Sequence, residues 1–482
     1  MALVGATFWF YSRQPLHHTD LWGHLAYGRL IWQSRALPAH EPFMPLSEAA
    51  PFVDTAWLTQ VVGFLAISIG GPAAIQFLHA AGIAACCGIL VFDFYFRTRN
   101  ALLSTAGVVL FTALNWFQFQ VVRPQMAGLA CCVILLVMLG ARRWKPFLWV
   151  AIPLTIALWA NLHGSFAVGL GLLICACLGR IIDVWRRTKH LATPLRDFHA
   201  RRLLVVTALS TASALLNPYG LQLYAEVLSF SRHPNLADLT EWHRLALHSH
   251  QGELAVATGL ALAVLYWLSP RRVPVGEAMA LVSLGVATLL SARMIIWWTP
   301  IAAGCCVIQA QAVWHRFFPS WKRKTPSPRS QIWILVAAGL AIVVFVLAPR
   351  GLPMIVGRPV DVGQSVSDQT PVAAVNWLRE HPPAGQVFNT YEWGDYLVWA
   401  GPASVQIFVT SQAHLVRRNV WLDYMAVINV APGWKQILDN YDVVTVLADK
   451  RHRGALIGRL RKEGHWRLDY QDDISAIFTR RP

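Results

Sequence analysis

The chain is poor in charge. Only 14% of its 482 residues are Asp, Glu, Lys or Arg. A soluble domain carries about 25%, so an ordinary soluble enzyme of this length is excluded. Acids are scarcer than bases, 25 against 41, which leaves a formal net charge of +16. The chain also lacks a glycine-rich phosphate loop between a strand and a helix, and it has no DxD triplet. No nucleotide-sugar site is therefore evident. CxxC spacing is absent as well. The eight cysteines come as Cys86-Cys87, Cys131-Cys132, Cys175 with Cys177, and Cys305-Cys306, all inside apolar segments. Adjacent cysteines cannot easily bond each other, and a helix interior offers no zinc geometry. They read as small buried apolar residues. No cleavable signal peptide is evident. The first segment, "MALVGATFWFY", is short for a full span. It implies a tilted or truncated first helix, or a start codon further upstream.

What is present is apolar surface. Hydrophobic residues make up 55% of the chain, and mean hydropathy is +0.43. Several apolar runs reach roughly 17 to 25 residues, the length that crosses a bilayer. The sequence therefore predicts a polytopic α-helical membrane protein. Its positive charge sits mostly in short runs between apolar segments, as in cytoplasmic loops, so no nucleic-acid partner is expected. These runs are "RTR" (97–99), "RRWK" (142–145), Arg180 to Arg202, "RR" (271–272) and "HRFFPSWKRK" (315–324). Two apolar segments fit between each consecutive pair: 101–120 and 124–141, 145–162 and 164–180, 203–216 and 252–268, 274–291 and 294–313. All basic turns then fall on the cytoplasmic side. A further span at 330–348 carries the C-terminal part outside. Working backward, 72–96 runs inward and residues 12–71 are external. The stretch "AWLTQVVGFLAISIGG" (56–71) is short for a span and reads as an interfacial helix anchored by Trp57. The count is about eleven spans, with the N-terminus cytoplasmic and the C-terminal domain extracytoplasmic.

Polar groups concentrate in the external turns. Asp20, His24, His40, Glu41 and Asp54 lie in the first loop, and Arg123 with Gln125 in "VVRPQM". Asn161 and His163 stand in "WANLHGSF", Asn217 and Tyr219 in "LLNPYGLQLY", Glu241 and His243 in "LTEWHRL", and Arg293 in "SARMIIWW". Such groups are tolerated at membrane depth only where they line a wet cavity or pack on protein. Simpler roles stand beside the functional ones. Asn161 and His163 also suit a helix end, "NPYG" is a turn signal in any protein, and Arg123 and Arg293 could snorkel to the interface. Against snorkelling, both arginines occupy turns otherwise poor in arginine, which favours anion binding. The histidines of residues 17–40 lack strict ligand spacing. No metal ligand set is assigned, and a divalent metal is left as an option.

The first loop, read with this topology, resembles the C-type (GT-C) integral membrane glycosyltransferases, in particular a set of poorly characterised bacterial multi-spanning members. The residues that carry the resemblance are Asp20, Trp22, His24-Leu25, Gly28, Pro38, Pro42-Phe43 and Trp57-Leu58, with "RPQ", "NLHG", "NPYG" and "EW" further on. The C-terminal "VNWLREHPPAGQVFNTYEWGDYLVW" is similar to that set too. The resemblance implies a long first external loop with two juxtamembrane helices, and transfer of a sugar from a polyprenyl-phosphate donor. Inverting transfer needs a base for the acceptor hydroxyl and cationic groups for the departing phosphate. On this view Asp20 is the base, with His24 and Asp54 assisting, and Arg123 and Arg293 hold the donor phosphate. Gln125, Asn161, His163, Asn217, Tyr219, Glu241 and His243 line the acceptor side. The partners are the lipid-linked sugar, the bilayer and an acceptor glycan, lipid or protein. Two places depart from the family. Members that transfer aminoarabinose or mannose carry a second acid where this chain has Arg123-Pro124-Gln125. Similar proteins often read Phe-x-Asp-Gly-Arg-x-Asp where this chain has Thr410, Ser411, Gln412 and His414.

Composition shifts after residue 350. The organisation expected is a membrane domain over 1–348, a linker over 349–370 and a small extracytoplasmic α/β domain over 371–482. Strands are predicted at "QVFN", "YLVW", "VQIFVT", "DVVTVLAD", "WRLDYQD" and "SAIFTR", and helices near 371–380, 432–440 and 453–464. That domain suits acceptor recognition or docking of a membrane-protein partner. The leading function is a glycosyltransferase of the bacterial inner membrane. The alternative is a non-catalytic GT-C-like structural subunit, which the two departures favour. A transporter is disfavoured, because its ionisable groups would lie at mid-span, often within inverted repeats.

Overall fold

The computed structural model describes residues 2–17, 20–48, 50–141, 144–190, 192–318 and 365–481. The expected span at 330–348 and most of the expected linker lie outside them. Packing divides the chain into two compact units. Unit 1 takes Met1–Gln14, Gln76–Val227 and Thr240–Pro359. Unit 2 takes Pro15–Ile75, Leu228–Leu239 and Val360–Pro482. The small C-terminal domain thus shares its unit with residues Pro15–Ile75.

Unit 1 is helical. After α1 (Ala2–Tyr11), α2 (Asp20–Ser34) belongs to unit 2. Helix α3 (Trp57–Thr98), assigned to unit 2 as far as Ile75, is broken at Gly71, whose φ of 62° and ψ of −161° leave the helical region, and Pro72 follows. The break falls at the glycines where the sequence separates an interfacial helix from a span. Only glycine adopts such a backbone cheaply. The rest are α4 (Ala101–Leu114), α5 (Trp116–Gln120), α6 (Gln125–Leu139), α7 (Leu148–Leu162), α8 (Phe166–Thr188), α9 (Thr193–Arg196), α10 (Phe198–Ser213), α11 (Leu221–Phe230), α12 (His250–Leu268), α13 (Val275–Leu290) and α14 (Ile295–Phe317). Their limits follow capping chemistry as well as apolar runs. Asn100 accepts from Leu103 N (3.2 Å) to start α4, Asp197 from Ala200 N (2.8 Å) to start α10, and Ser249 from Gly252 N (3.1 Å) to start α12.

Among the described residues four helical stretches are long and apolar enough to cross a membrane: Trp57–Thr98, Phe166–Thr188, His250–Leu268 and Ala292–Phe317. Five shorter apolar helices accompany them: Ala2–Tyr11, Ala101–Leu114, Gln125–Leu139, Leu148–Leu162 and Val275–Leu290. Helix α14 is the axis of the unit. Its apolar window is 72% buried, against 22% for α12, and it packs on α4, α12 and α13. Outer helices leave large apolar side chains exposed, among them Leu102, Val150, Leu260 and Trp267. Such a coat suits lipid rather than water.

Where helices touch most closely, glycine permits it. A Cβ on Gly179 of α8 would lie 2.1 Å from the Gly276 backbone nitrogen of α13. Small residues facing one another bring backbones together in place of a hydrophobic driving force. The two ends of the bundle differ in chemistry. Basic turns gather at one: Arg97 lies against Gly140, Arg202 stacks over Trp144 at 4.0 Å and Arg316 donates to Leu268 O at 2.6 Å. A cavity of about 860 Å³ opens there, lined by Arg97, Arg180, Arg187, Arg272, Asp183 and Glu277 among others. Turns carrying the mixed polar groups gather at the other.

Unit 2 is built on a five-stranded sheet of order β2-β1-β3-β5-β4. Its strands are β1 (Gln386–Asn389), β2 (Gln406–Ile407), β3 (Val443–Asp449), β4 (Trp466–Gln471) and β5 (Ser475–Arg480). β1 is parallel to β2 and β3, whereas β5 runs antiparallel to β3 and β4. Helices α15 (Val372–Glu380), α16 (Gly394–Ala400), α17 (Arg418–Ile428), α18 (Trp434–Asn440) and α19 (Gly454–Leu460) complete it. One expectation fails. "YLVW" is not a strand but lies within α16. A four-residue apolar run has no period to separate strand from helix. Here the helix is settled by packing on α2, with Trp22 5.2 Å from Tyr396 edge-to-face and Arg29 over the Trp399 ring at 4.6 Å. Segment Leu228–Leu239 is fastened by side chains. Asn235 donates to Ala413 O (2.8 Å) and Val416 O (2.7 Å), and Asp238 accepts from Trp421 Nε1 (2.9 Å) and Arg418 (3.1 Å).

Gly179→Ala is expected to lower the melting temperature of the detergent-solubilised protein by several degrees, since overpacking against backbone costs about 1–3 kcal/mol. Gly171 on the same helix has open space around it, so Gly171→Ala should leave melting unchanged. Equal melting of the two variants would refute the close contact.

Candidate functional site

The candidate residues fall into two sets, one in each unit. In unit 2, Asp20 opens α2 as the acid of its first turn, a position the helix dipole favours for a carboxylate. His24 lies one turn later on the same face. Its Nδ1 is 3.2 Å from Gln60 Nε2, and that amide nitrogen also donates to Asp54 Oδ1 at 2.9 Å. An amide nitrogen only donates, so Nδ1 is the acceptor and a neutral His24 carries its proton on Nε2. Asp54 Oδ1 accepts a further bond from Ala56 N at 3.0 Å, which fastens the start of α3. Asp54 is 3% exposed. Burial pushes its pKa up to about 7, the bonds from Ala56 and Gln60 oppose the rise, and the nearby charge of Glu41 adds to it. Glu41 is buried too. It accepts from Tyr27 Oη at 2.6 Å and Phe43 N at 2.8 Å, and its burial raises its pKa against those bonds.

Sequence reasoning missed the fourth carboxyl of this set, Asp395, the second residue of α16. It is 1% exposed. Its Oδ2 accepts from Ser411 N at 3.2 Å, and its Oδ1 is buried without a hydrogen-bond partner. The carboxyl rests in a notch of α2. A Cβ on Gly23 would come within 2.1 Å of Oδ1. Burial raises the Asp395 pKa well above the carboxylate range, and the charge of Asp20 adds to the rise. An acid between Gly394 and Tyr396 in an apolar run was the available signal. Reading that run as a strand hid it. The family departure lies beside it: Ser411 binds Asp395, Gln412 N donates to Thr410 Oγ1 (3.2 Å), and His414 packs edge-on against Phe230 at 4.6 Å.

In unit 1, Arg123 and Arg293 converge on one carboxylate. Arg123 Nη1 is 2.5 Å from Glu241 Oε2, and Arg293 Nη1 is 2.7 Å from Glu241 Oε1. Arg293 also lies over the Trp242 ring, 5.1 Å from its centroid. Arg123 stands in the turn before α6, whose first residue Gln125 is buried, and Arg293 in the turn before α14. The strand-like contact of Ala292 N with His243 O (3.0 Å) holds the Glu241 turn against the Arg293 turn. Two guanidinium groups on one carboxylate form the charge arrangement that a phosphate would also satisfy.

Other candidates serve local structure. Asn161 donates to Ala157 O (2.8 Å) and Leu216 O (2.9 Å), tying two turns together. His163 ends α7 and bonds Ser165 Oγ at 2.7 Å, with its ring 6.4 Å from Trp297. Asn217 Oδ1 accepts from Tyr219 N at 2.7 Å, and its amide donates to Ala214 O at 2.6 Å. That closes the "NPYG" turn, whose Gly220 has φ of 54°. Among the described residues no three His, Cys, Asp or Glu side chains form a group that could hold a metal ion.

Asp54 supplies a test in solution. A carboxyl whose folded pKa is raised stabilises the fold below its unfolded pKa near 4. That stabilisation is lost as pH rises through the folded value of about 7. Asp54→Asn keeps an acceptor oxygen but does not titrate. Its stability relative to wild type is expected to improve by up to about 1.4 kcal/mol per pH unit between pH 4 and 7, read from unfolding midpoints in detergent. A pH-independent difference would remove Asp54 from this role.

No family model matches the chain, and no curated protein matches it in sequence. Solved structures do. The apo crystal structure of the Archaeoglobus fulgidus oligosaccharyltransferase aligns with a TM-score of 0.55 and 12% identity, over 93% of this chain and 69% of that one. The same enzyme tethered to an acceptor peptide containing an NVT sequon gives 0.55 and 13%, over 100% and 74%. ArnT from Cupriavidus metallidurans bound to undecaprenyl phosphate gives 0.53 and 13%, over 99% and 96%. This chain thus shares its fold with these two transferases.

Proposed function

We propose that the protein is a multi-pass glycosyltransferase of the bacterial inner membrane that moves a sugar from a polyprenyl-phosphate donor to an extracytoplasmic acceptor. The observation that carries the reading is the pair Arg123 and Arg293, drawn from separate turns onto one carboxylate. The ArnT structure among the similar folds is bound to undecaprenyl phosphate, a ligand whose headgroup would suit such a pair. In this reading Glu241 occupies the anion position in the resting protein and yields it to the donor phosphate. Asp20 takes the proton of the acceptor hydroxyl as the new glycosidic bond forms. The bond from the anomeric carbon to the phosphate oxygen breaks, and polyprenyl phosphate leaves with the electron pair, stabilised by the two arginines. His24, held through Gln60 to Asp54, supports the start of α2. The acceptor is a glycan, lipid or protein.

A structural-subunit reading rests on two observations. Glu241 already pairs with both arginines, and the turn at Thr410–Gln412 carries no acid. Transfer in proteoliposomes from a panel of polyprenyl-phosphate sugars separates the two. Under the transferase reading, Asp20→Asn lowers the rate by 10²-fold or more, the scale of a lost general base. Arg293→Ala lowers kcat/KM for the donor by about tenfold or more at unchanged abundance. Wild-type protein inert with every donor, together with a deletion strain of normal surface glycan, would favour the structural subunit.

A further inference from the structure

We infer that Asp395 carries a proton and donates it as a hydrogen bond to the carboxylate of Asp20, so that the two carboxyls form one acid–base unit. The inference rests on the reading of Asp20 as the base, and its geometry lies entirely within unit 2.

Three observations lead to it. Gly23 follows Asp20 by three residues on α2, which puts both on one face of the helix. The Asp395 carboxyl fills the notch that Gly23 leaves, at a distance no Cβ could tolerate. Asp395 Oδ1 is fully buried with no donor, although Ser411 serves the carboxyl through its backbone N, on Oδ2, and its side chain. A carboxylate so placed would be an unpaired buried charge, which costs several kcal/mol. A protonated carboxyl has no such cost, because its hydroxyl needs an acceptor and the neighbouring carboxylate is one. The charged and titratable groups around Asp395 agree in sign. Asp20 on α2 and Glu41 on the loop both raise its pKa. Tyr27 on α2 is occupied with Glu41. Arg29, also on α2, is spent on the carbonyls of Val398 and Trp399 at the far end of α16.

This arrangement makes Asp395 a positioning residue. Its hydrogen bond holds one oxygen of Asp20 and so orients the base. The proton on Asp395 does not move during transfer; the one taken from the acceptor stays on Asp20 until released to solvent. Two carboxyls sharing one proton cannot both ionise without repulsion. The alkaline limb of the pH–rate profile therefore belongs to the pair.

Asp395→Asn retains a donor that does not titrate, and Asp395→Ala retains none. The expected result is that Asp395→Asn keeps at least a third of wild-type kcat at pH 7 and stays active at alkaline pH where wild type declines. Asp395→Ala should lose tenfold or more in kcat with less than a threefold change in donor KM. Equal losses in both variants, or none in Asp395→Ala, would overturn the inference. A second measurement needs no activity. The melting temperature of Asp395→Asn relative to wild type should rise from pH 5 to pH 9, because wild type alone must ionise a buried carboxyl. The rise should shrink in an Asp20→Asn background. A flat difference, or one indifferent to Asp20, refutes the shared proton. If wild type proves inert while the melting results hold, the transferase reading falls and the carboxyl pair stands.

Discussion

A carboxylate removed from water must be paired, hydrogen-bonded or neutralised by a proton, and around α2 unit 2 takes Glu41, Asp54 and Asp395 into its interior. Glu41 uses a phenol and a backbone amide. Asp54 uses the amide of Ala56 and the side chain of Gln60. Asp395 has the backbone and side chain of Ser411 and the nearby charge of Asp20. Each solution fixes a piece of the first loop. Tyr27 to Glu41 ties α2 to the turn that follows it, Gln60 joins His24 to Asp54, and Asp395 sets α16 against Gly23. The position of Asp20 at the start of α2 is the sum of these restraints.

Unit 1 solves the opposite problem. Its polar turns must hold cations at the end of an apolar bundle. Glu241 answers by accepting from Arg123 and Arg293 at once, and both arginines keep some exposure. A partly exposed ion pair contributes little to stability, so the arrangement is better understood as a poised charge distribution than as a brace. Removal of the carboxylate leaves two guanidinium groups facing the same point.

The apolar runs were legible. Helices α4, α6, α7, α8, α12, α13 and α14 fall where length and hydropathy set them, because a bilayer-facing helix writes its limits into composition. The break at Gly71-Pro72 was legible for the same reason, as glycine and proline punctuate. The strands β1, β3, β4 and β5 stood out by alternation and β-branched content. What escaped was long-range. Nothing in the spacing of Gly23 and Asp395, or of Arg123, Glu241 and Arg293, announces that they meet, since periodicity reports faces and not partners. "YLVW" escaped because four apolar residues carry no period. Membership of Pro15–Ile75 in the sheet unit escaped because grouping by chain order is the natural first division.

That grouping bears on how the protein is made. Unit 2 is assembled from three separated stretches of chain, and β5, which follows the other four strands in the chain, lies between β3 and β4. The sheet cannot close until β5 has been made. Through that interval α2, with the buried faces of Trp22 and Tyr27, waits without α16 to cover it. Contacts so distant in sequence form slowly, and apolar surface held open for long invites misassociation. Biogenesis of this chain is therefore a matter of keeping the Pro15–Ile75 stretch unspent until β5 arrives.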